Sequence, residues 1–211
     1  SAPTYRYYAD SNGAKSNQLD GAPINAGTYW VEAYAPETSS TASATSQAVR
    51  FHIEKAPLCI RAKGKTITYG ETLSDNGVEI NGFVNNENEN VLSGLNYAFD
   101  YAQFSDIGTY TIIPMDAKAE KYKITYENGV LNVQPKPVEI KWNGESVFYY
   151  DGTPKLVTAE AIGAVNGDAL TVIIEDGSRT EIGSYTARAV ALAGGKAGNY
   201  VLPEAQTFSF Q

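Results

Sequence analysis

Hydrophobic and polar side chains take turns along most of this chain. Leu58, Ile60 and Ala62 alternate with Cys59, Arg61 and Lys63, and Val138, Ile140 and Trp142 alternate with Glu139, Lys141 and Asn143. A period of two predicts strands with one buried face. By the same rule Tyr29/Val31/Ala33, Tyr110/Ile112/Pro114 and Tyr185/Ala187/Ala189 are expected on core faces. No stretch holds a helical period over three turns; the sole helical candidate is Asp116 to Tyr122, one or two turns at most. Asn12-Gly13, Asn76-Gly77, Asn128-Gly129, Asn143-Gly144, Asp151-Gly152 and Asp176-Gly177 supply the positive φ angles that tight hairpins need.

The pattern also repeats. Gly-Thr/Ser-Tyr occurs at Gly27-Thr28-Tyr29, Gly108-Thr109-Tyr110 and Gly183-Ser184-Tyr185, at intervals of 81 and 75 residues. Gly82-Phe83-Val84-Asn85-Asn86-Glu87 answers to Gly163-Ala164-Val165-Asn166-Gly167-Asp168, again 81 apart, and Pro57 answers to Pro137. Each Gly-Thr/Ser-Tyr is followed by an apolar alternation: Phe51-His52-Ile53, Leu131-Asn132-Val133 and Phe208-Ser209-Phe210. Landmarks in fixed order mark a repeat architecture. Residues 55–134 and 135–211 each read as a complete β repeat, and residues 1–54 carry only the C-terminal half of one. Either the chain cuts into a preceding module, the reading favoured here, or the first unit is a natural half.

Many short strands without helices predict an all-β chain of tandem, small Ig-like β-sandwich modules; a β-grasp-like sheet is the alternative strand arrangement. The joint at Gln134-Pro135-Lys136-Pro137 has two prolines in four residues, which hold it extended. The expected array is an elongated, semi-rigid rod.

Several of these residues resemble the MBG-type repeats of bacterial surface proteins. The resemblance rests on Ala56-Pro57-Leu58-Cys59-Ile60, Thr68-Tyr69-Gly70-Glu71, Gly82-Phe83-Val84-Asn85, Ile107-Gly108-Thr109-Tyr110 and the closing stretch Tyr126 to Val133. Residues 135–211 are similar to the Tyr-Asp-Gly variant of the family, at Tyr150-Asp151-Gly152-Thr153-Pro154-Lys155. What the resemblance implies is a secreted or cell-wall-displayed bacterial protein of the adhesin kind, in which such repeats form a stalk. It brings no catalytic motif and no ligand residues.

Composition narrows the partners. Sixteen Lys and Arg against 24 Asp and Glu give a net charge of −8, which disfavours a phosphate-binding surface, so nucleic acid is not expected. No apolar run approaches the ~20 residues of a membrane helix. One Cys and one His cannot form an internal disulfide or the usual His/Cys zinc site. No cofactor is expected, and the fragment is expected to be a monomer. Ser1 reads as a fragment start without a signal-peptide pattern, so compartment is not read from that end.

Candidate chemistry is sparse. His52 sits between two core-facing residues with no nucleophile elbow beside it, and reads as a solvent-facing strand residue. Cys59 has only Arg61 as electropositive support and reads as incidental. The oxygen-rich run Asn85 to Asn90 offers Glu87 and Glu89 as candidate calcium ligands. Its spacing is not that of an EF-hand, however, and the matching stretch at Asn166 to Leu170 has lost the second acid and keeps only Asp168, so a solvated loop is preferred. Lys63 and Asn132 point outward, against an isopeptide crosslink. Gly64-Lys65-Thr66 and Gly194-Gly195-Lys196 read as turns, not phosphate loops. Trp30 and Tyr34 share the face opposite Tyr29 and are expected to be exposed, where aromatics can stack on sugars or anchor a protein.

Three functions from different classes follow. The first is a non-catalytic stalk of an extracellular, surface-attached or secreted bacterial protein. The second is an adhesin module that binds a host glycan or surface protein through Trp30 and Tyr34. The third is an accessory domain of a secreted polysaccharide-degrading enzyme. An active site within the chain is not expected, although Asp100, Asp106 and Glu175 are scattered carboxylates.

Overall fold

A computed structural model describes residues 2–74, 76–204 and 206–211; Ser1, Asp75 and Ala205 lie outside the described residues. The protein is all-β, in several sheets consistent with β-sandwich architecture, and its only helical turns among the described residues are 3-10 turns at Glu89–Val91 and Ala197–Asn199. Its contacts divide it into two compact bodies. One comprises Ser1–Arg61, Glu79–Asn96 and Met115–Glu127; the other comprises Ala62–Val78, Tyr97–Pro114 and Asn128–Gln211. The 55–134 segment supplies strands to both.

In the first body, Thr4–Ser11, Ala14–Gln18, Gly27–Ala35, Ala44–Thr45 and Val49–Ile53 form a five-stranded sheet. The Gly27–Ala35 strand is central, with Thr4–Ser11 and Val49–Ile53 antiparallel on either side. The same body has a three-stranded sheet in which Ala56–Ala62 lies between Tyr122–Glu127 and Val78–Asn81. Tyr122–Glu127 runs parallel to Ala56–Ala62 from Tyr122↔Ala56 to Glu127↔Arg61. A parallel pair needs a long crossover, and the intervening chain supplies one without a helix.

In the second body the strand order is Lys65–Thr68, Gly129–Gln134, Gly108–Met115, Asn96–Phe99. Thr171–Glu175, Tyr185–Ala193 and Thr207–Phe210 form an antiparallel sheet, and Glu139–Asn143 pairs antiparallel with Thr158–Ile162. Lys136–Pro137 pairs in parallel with Tyr200–Val201. The proline joint is therefore a strand held at its edge, where a missing N–H costs least.

Alternation places the cores as expected in most strands. Leu58, Ile60 and Ala62 are buried, as are Ile112, Leu131, Val133, Val138, Ala187, Ala189 and Phe210. One apolar cluster in the second body joins Ile67, Tyr69, Ile112, Leu131 and Val133 to Val138 and Tyr200, so it runs from residues of the 55–134 segment into those of 135–211. A separate cluster of Val157, Ala187 and Phe210 takes in Trp142, Phe148 and Tyr185.

The recurrent Gly-Thr/Ser-Tyr has a local cause. Each tyrosine hydroxyl donates to the backbone carbonyl four residues upstream: Tyr29 to Asn25 at 3.0 Å, Tyr110 to Asp106 at 2.7 Å and Tyr185 to Glu181 at 3.1 Å. This is the logic of the tyrosine corner of Ig-like sandwiches. The ring folds back over the glycine, and a Cβ at Gly27 or Gly183 would meet the hydroxyl at 3.1 or 3.0 Å.

Three sequence expectations need correction. Asp116 to Tyr122 is not helical: Asp116 takes a φ of +62°, Lys118 bridges to Ser93, and a turn leads into the strand at Tyr122. So short a run cannot overcome helix nucleation when strand bridges compete. Of the six Asn-Gly and Asp-Gly pairs, only Asn12-Gly13 has both residues at positive φ, +50° and +85°, closing the hairpin at Ser11↔Ala14. Asp176-Gly177 instead leads to Ser178–Arg179, which pairs with Lys155–Leu156. Lastly, Tyr29, Val31 and Ala33 are only partly buried, and the buried member of their strand is Glu32 on the opposite face.

Candidate functional site

The strand Gly27–Ala35 turns Trp30, Glu32 and Tyr34 to one face, so the two aromatics proposed from sequence lie on either side of a buried carboxylate. Its oxygens accept from the Tyr8 hydroxyl at 2.5 Å and pair with Lys15 Nζ at 2.6 Å. The Lys15 ammonium and the Tyr8 hydroxyl hold the Glu32 carboxyl below the usual carboxylate range. Trp30 Nε1 donates to Asp10 Oδ1 at 2.8 Å, and Arg50 Nε reaches the same oxygen at 2.9 Å. The Arg50 guanidinium, with the Gly13 N–H and Trp30 in support, keeps the Asp10 carboxyl low. The Arg6 guanidinium stacks 3.4 Å from the Tyr34 ring centroid. Trp30 and Tyr34 are thus half-buried rather than free, because cross-strand charges engage them both.

The second candidate does not assemble. Glu87 Oε1 pairs with Lys121 Nζ at 2.7 Å, and Oε2 accepts from the Tyr122 hydroxyl at 2.7 Å. Lys121 and Tyr122 pull its carboxyl below the usual range. Glu89 is exposed at the start of its 3-10 turn. Among the described residues, no group of three or more His, Cys, Asp or Glu side chains is placed to hold a metal ion. His52 is exposed, with Nδ1 3.0 Å from the Thr28 hydroxyl. Cys59 Sγ donates to Glu127 Oε1 at 3.4 Å, and Glu127 also pairs with Arg61. Lys63 and Asn132 are both exposed.

Sequence reasoning passed over the most developed polar cluster of the second body. Asp168 Oδ2 accepts the hydroxyls of Tyr69 at 2.9 Å and Tyr200 at 2.7 Å, while the two rings meet edge to face at 5.4 Å. Burial, reinforced by the Asp168 carboxylate, raises both phenols, and Tyr200 is pushed up to about 12. Beside them Asp106 Oδ1 pairs with Lys196 Nζ at 2.6 Å and accepts from Asn199 Nδ2 at 2.8 Å. The Ile107 N–H donates to Asn199 Oδ1 at 2.9 Å. Asn199 is buried, so both ends of its amide are satisfied by one short stretch of the neighbouring segment. Gly70, at φ +87°, leaves room for Val165, whose Cγ2 would sit 2.8 Å from a Cβ there.

A signal for this cluster was present in the repeat. Val84 N–H donates to the Tyr122 hydroxyl at 3.1 Å, and Val165 N–H donates to the Tyr200 hydroxyl at 3.0 Å. Glu87 and Asp168 each accept from that tyrosine. The acid at the end of the landmark is therefore kept from one repeat to the next, while Glu89 is not.

A cleft of about 410 Å³ lies in the second body, lined by Phe148, Tyr149, Tyr150, Ile182, Tyr185 and Phe210 among others. Tyr149 and Ile182 are 88% and 82% exposed. Nothing in the clusters above combines a nucleophile, a base and an oxyanion donor.

No curated protein matches the chain. Residues 58–132, which contain Tyr69-Gly70-Glu71, match the family model of the MBG domain, YGX type. Over those residues the chain is similar to an MBG domain, a non-catalytic repeat module of surface proteins.

Proposed function

We propose that the chain is a non-catalytic spacer of an extracellular, surface-attached or secreted protein, built from tandem β repeats that bind each other directly. The observation that carries this reading is the continuous core and polar cluster at Tyr69, Asp168 and Tyr200. Successive repeats joined only by a flexible tether would bury no tyrosine pair against each other. Here Tyr69 and Tyr200 are 1% and 6% exposed, and the proline joint is itself paired into a sheet. A spacer works by transmitting position, and it needs stiffness at its joints more than it needs a pocket. The MBG similarity supports the surface location.

A second reading has its own observation. Trp30 and Tyr34 share one half-buried face among Asp10, Arg50 and Arg6, the mixture of aromatic and charged groups that sugars and protein partners use. The test is an array of glycans, mucins and matrix proteins probed with the purified chain and with Trp30→Ala. The spacer reading expects flat signals for both. Saturable binding lost in Trp30→Ala would replace it with an adhesin.

A further inference from the structure

The cleft beside Glu181 and Ile182 occupies, in the 135–211 segment, the place where the 55–134 segment receives its neighbour. Two backbone contacts fix the equivalence. Tyr69 N–H donates to the Gln134 carbonyl at 2.8 Å, and Phe148 N–H donates to the Gln211 carbonyl at 2.7 Å. The Tyr110 and Tyr185 hydroxyls return to the carbonyls of Asp106 and Glu181. Glu181-Ile182-Gly183 therefore stands where Asp106-Ile107-Gly108 stands one repeat earlier, and Phe148 stands where Tyr69 stands.

The earlier site is filled. Asp106 takes Lys196 and Asn199, the Ile107 N–H takes the Asn199 carbonyl oxygen, and Tyr69 reaches Asp168. Exposure reports the difference: Ile107 is 37% exposed and Ile182 is 82% exposed, while Tyr69 is buried and Phe148 only partly so. The carboxylate is present in both sites, and the cleft is walled by tyrosines and Ile182 together with Lys155 and Arg179, which pair with Asp151 and Asp176.

We propose that this cleft is the docking site for the Lys-x-x-Asn-Tyr corner of a further repeat of the same type, joined in tandem through Gln211. Glu181 takes that repeat's Lys and Asn side chains, and the Ile182 N–H takes the Asn carbonyl oxygen. Phe148 has no hydroxyl for that repeat's Asp168, and Tyr149 stands in place of Gly70, so the new joint rests on the Glu181 and Ile182 contacts without the Tyr69–Asp168 bond or the close Val165 contact. The chemistry is a buried amide flanked by a cation, fitted to one carboxylate and one backbone donor. An appended copy of residues 135–211 supplies it, with Gln211–Pro135 reproducing the Gln134–Pro135 joint. This inference rests on the direct docking of repeats proposed above.

The test is hydrogen exchange on the full chain extended by that copy. The expected result is that the Ile182 and Gly183 amides exchange about tenfold more slowly, or slower still, than in the unextended chain. Glu181→Lys in the extended chain should abolish the protection, and Lys196→Glu in the appended copy should restore it. Unchanged exchange at Ile182 and Gly183, or no rescue by the charge swap, overturns the proposal. So does saturable binding of a soluble saccharide that protects the same amides in the unextended chain, which would make the cleft a glycan site. Asp168→Ala in the unextended chain separates the two failures. If it frees the existing pair of repeats while the appended copy stays undocked, only this inference falls; if it frees nothing, the spacer reading falls with it.

Discussion

Asp168 Oδ2 lies 2.9 Å from the Tyr69 hydroxyl, across 99 residues of sequence, and the same oxygen holds Tyr200 at 2.7 Å. One carboxylate thus satisfies two phenols whose rings are buried against each other. Truncating Asp168 to alanine takes the acceptor from the buried Tyr69 hydroxyl and leaves Tyr200 with only the Val165 backbone, at 3.0 and 3.4 Å. The expected loss is about 1–3 kcal/mol for each unsatisfied group. Tyr69→Phe should cost less, because Asp168 keeps Tyr200, whereas Tyr200→Phe also takes the acceptor from the Val165 N–H and should cost more than Tyr69→Phe. Denaturant melts of the single and double variants check this, and a double-mutant cycle between Tyr69 and Asp168 should give a coupling energy above the additivity error.

Alkaline pH should weaken this joint. The Tyr200 phenol sits at about 12 in the folded protein, against about 10 unfolded. Its contribution is fully present below pH 10 and is lost as pH rises toward 12, because the unfolded chain releases the proton first. Tyr69 moves in the same direction. Stability measured from pH 9 to 12 should fall more steeply than in Tyr200→Phe.

Acid acts on other groups with the opposite sign. Glu32, Glu87, Asp10 and Asp106 are all held below the usual carboxylate range by their partners. Their contribution is present above about pH 4 and is lost as pH falls through the lowered folded values. Glu32→Gln should flatten the acid limb of the stability curve, with its effect on exchange confined to the strands around Gly27–Ala35.

Calcium should do nothing. Glu87 spends both carboxylate oxygens on Lys121 and Tyr122. The thermal midpoint should be the same in millimolar calcium and in chelator, and Glu87→Gln should lower it equally in both. A calcium-dependent rise that disappears in Glu87→Gln would restore the metal reading of that loop.

The tyrosine corner makes a local prediction. Tyr110→Phe removes the donor to the Asp106 carbonyl and should cost about 0.5–1.5 kcal/mol. Gly183→Ala drives a methyl group against the Tyr185 hydroxyl. It should be destabilising in the parent and milder in a Tyr185→Phe background, as paired melts would show.

The strands were readable because alternation reports burial directly, as at Leu58, Ile60 and Leu131. Glycine and tyrosine spacing marked the repeat, while the hydroxyl-to-carbonyl corner behind it is visible only in the structure. Alternation failed at Tyr29 and Glu32 because it ranks faces by side-chain type, whereas Lys15 and Tyr8 bury a carboxylate by satisfying it. Dipeptide turn signals misjudged the connections because the residues flanking Asp176-Gly177 pair with different strands, Glu175 with Arg188 and Ser178 with Leu156. The Asp168 cluster was legible only in part. The repeat kept an acid at Glu87 and Asp168, yet which tyrosine from which segment meets it depends on two stretches that sequence order separates.

The most direct test of the account is native-state hydrogen exchange on the wild-type chain and on Asp168→Ala. If the 55–134 and 135–211 segments are bound through one joint, the slowest amides of Gly129–Gln134 and Tyr185–Ala193 should share one opening free energy in the wild type. They should separate in Asp168→Ala. Two distinct opening energies already in the wild type, unmoved by the substitution, would contradict the claim that these repeats act as a joined spacer.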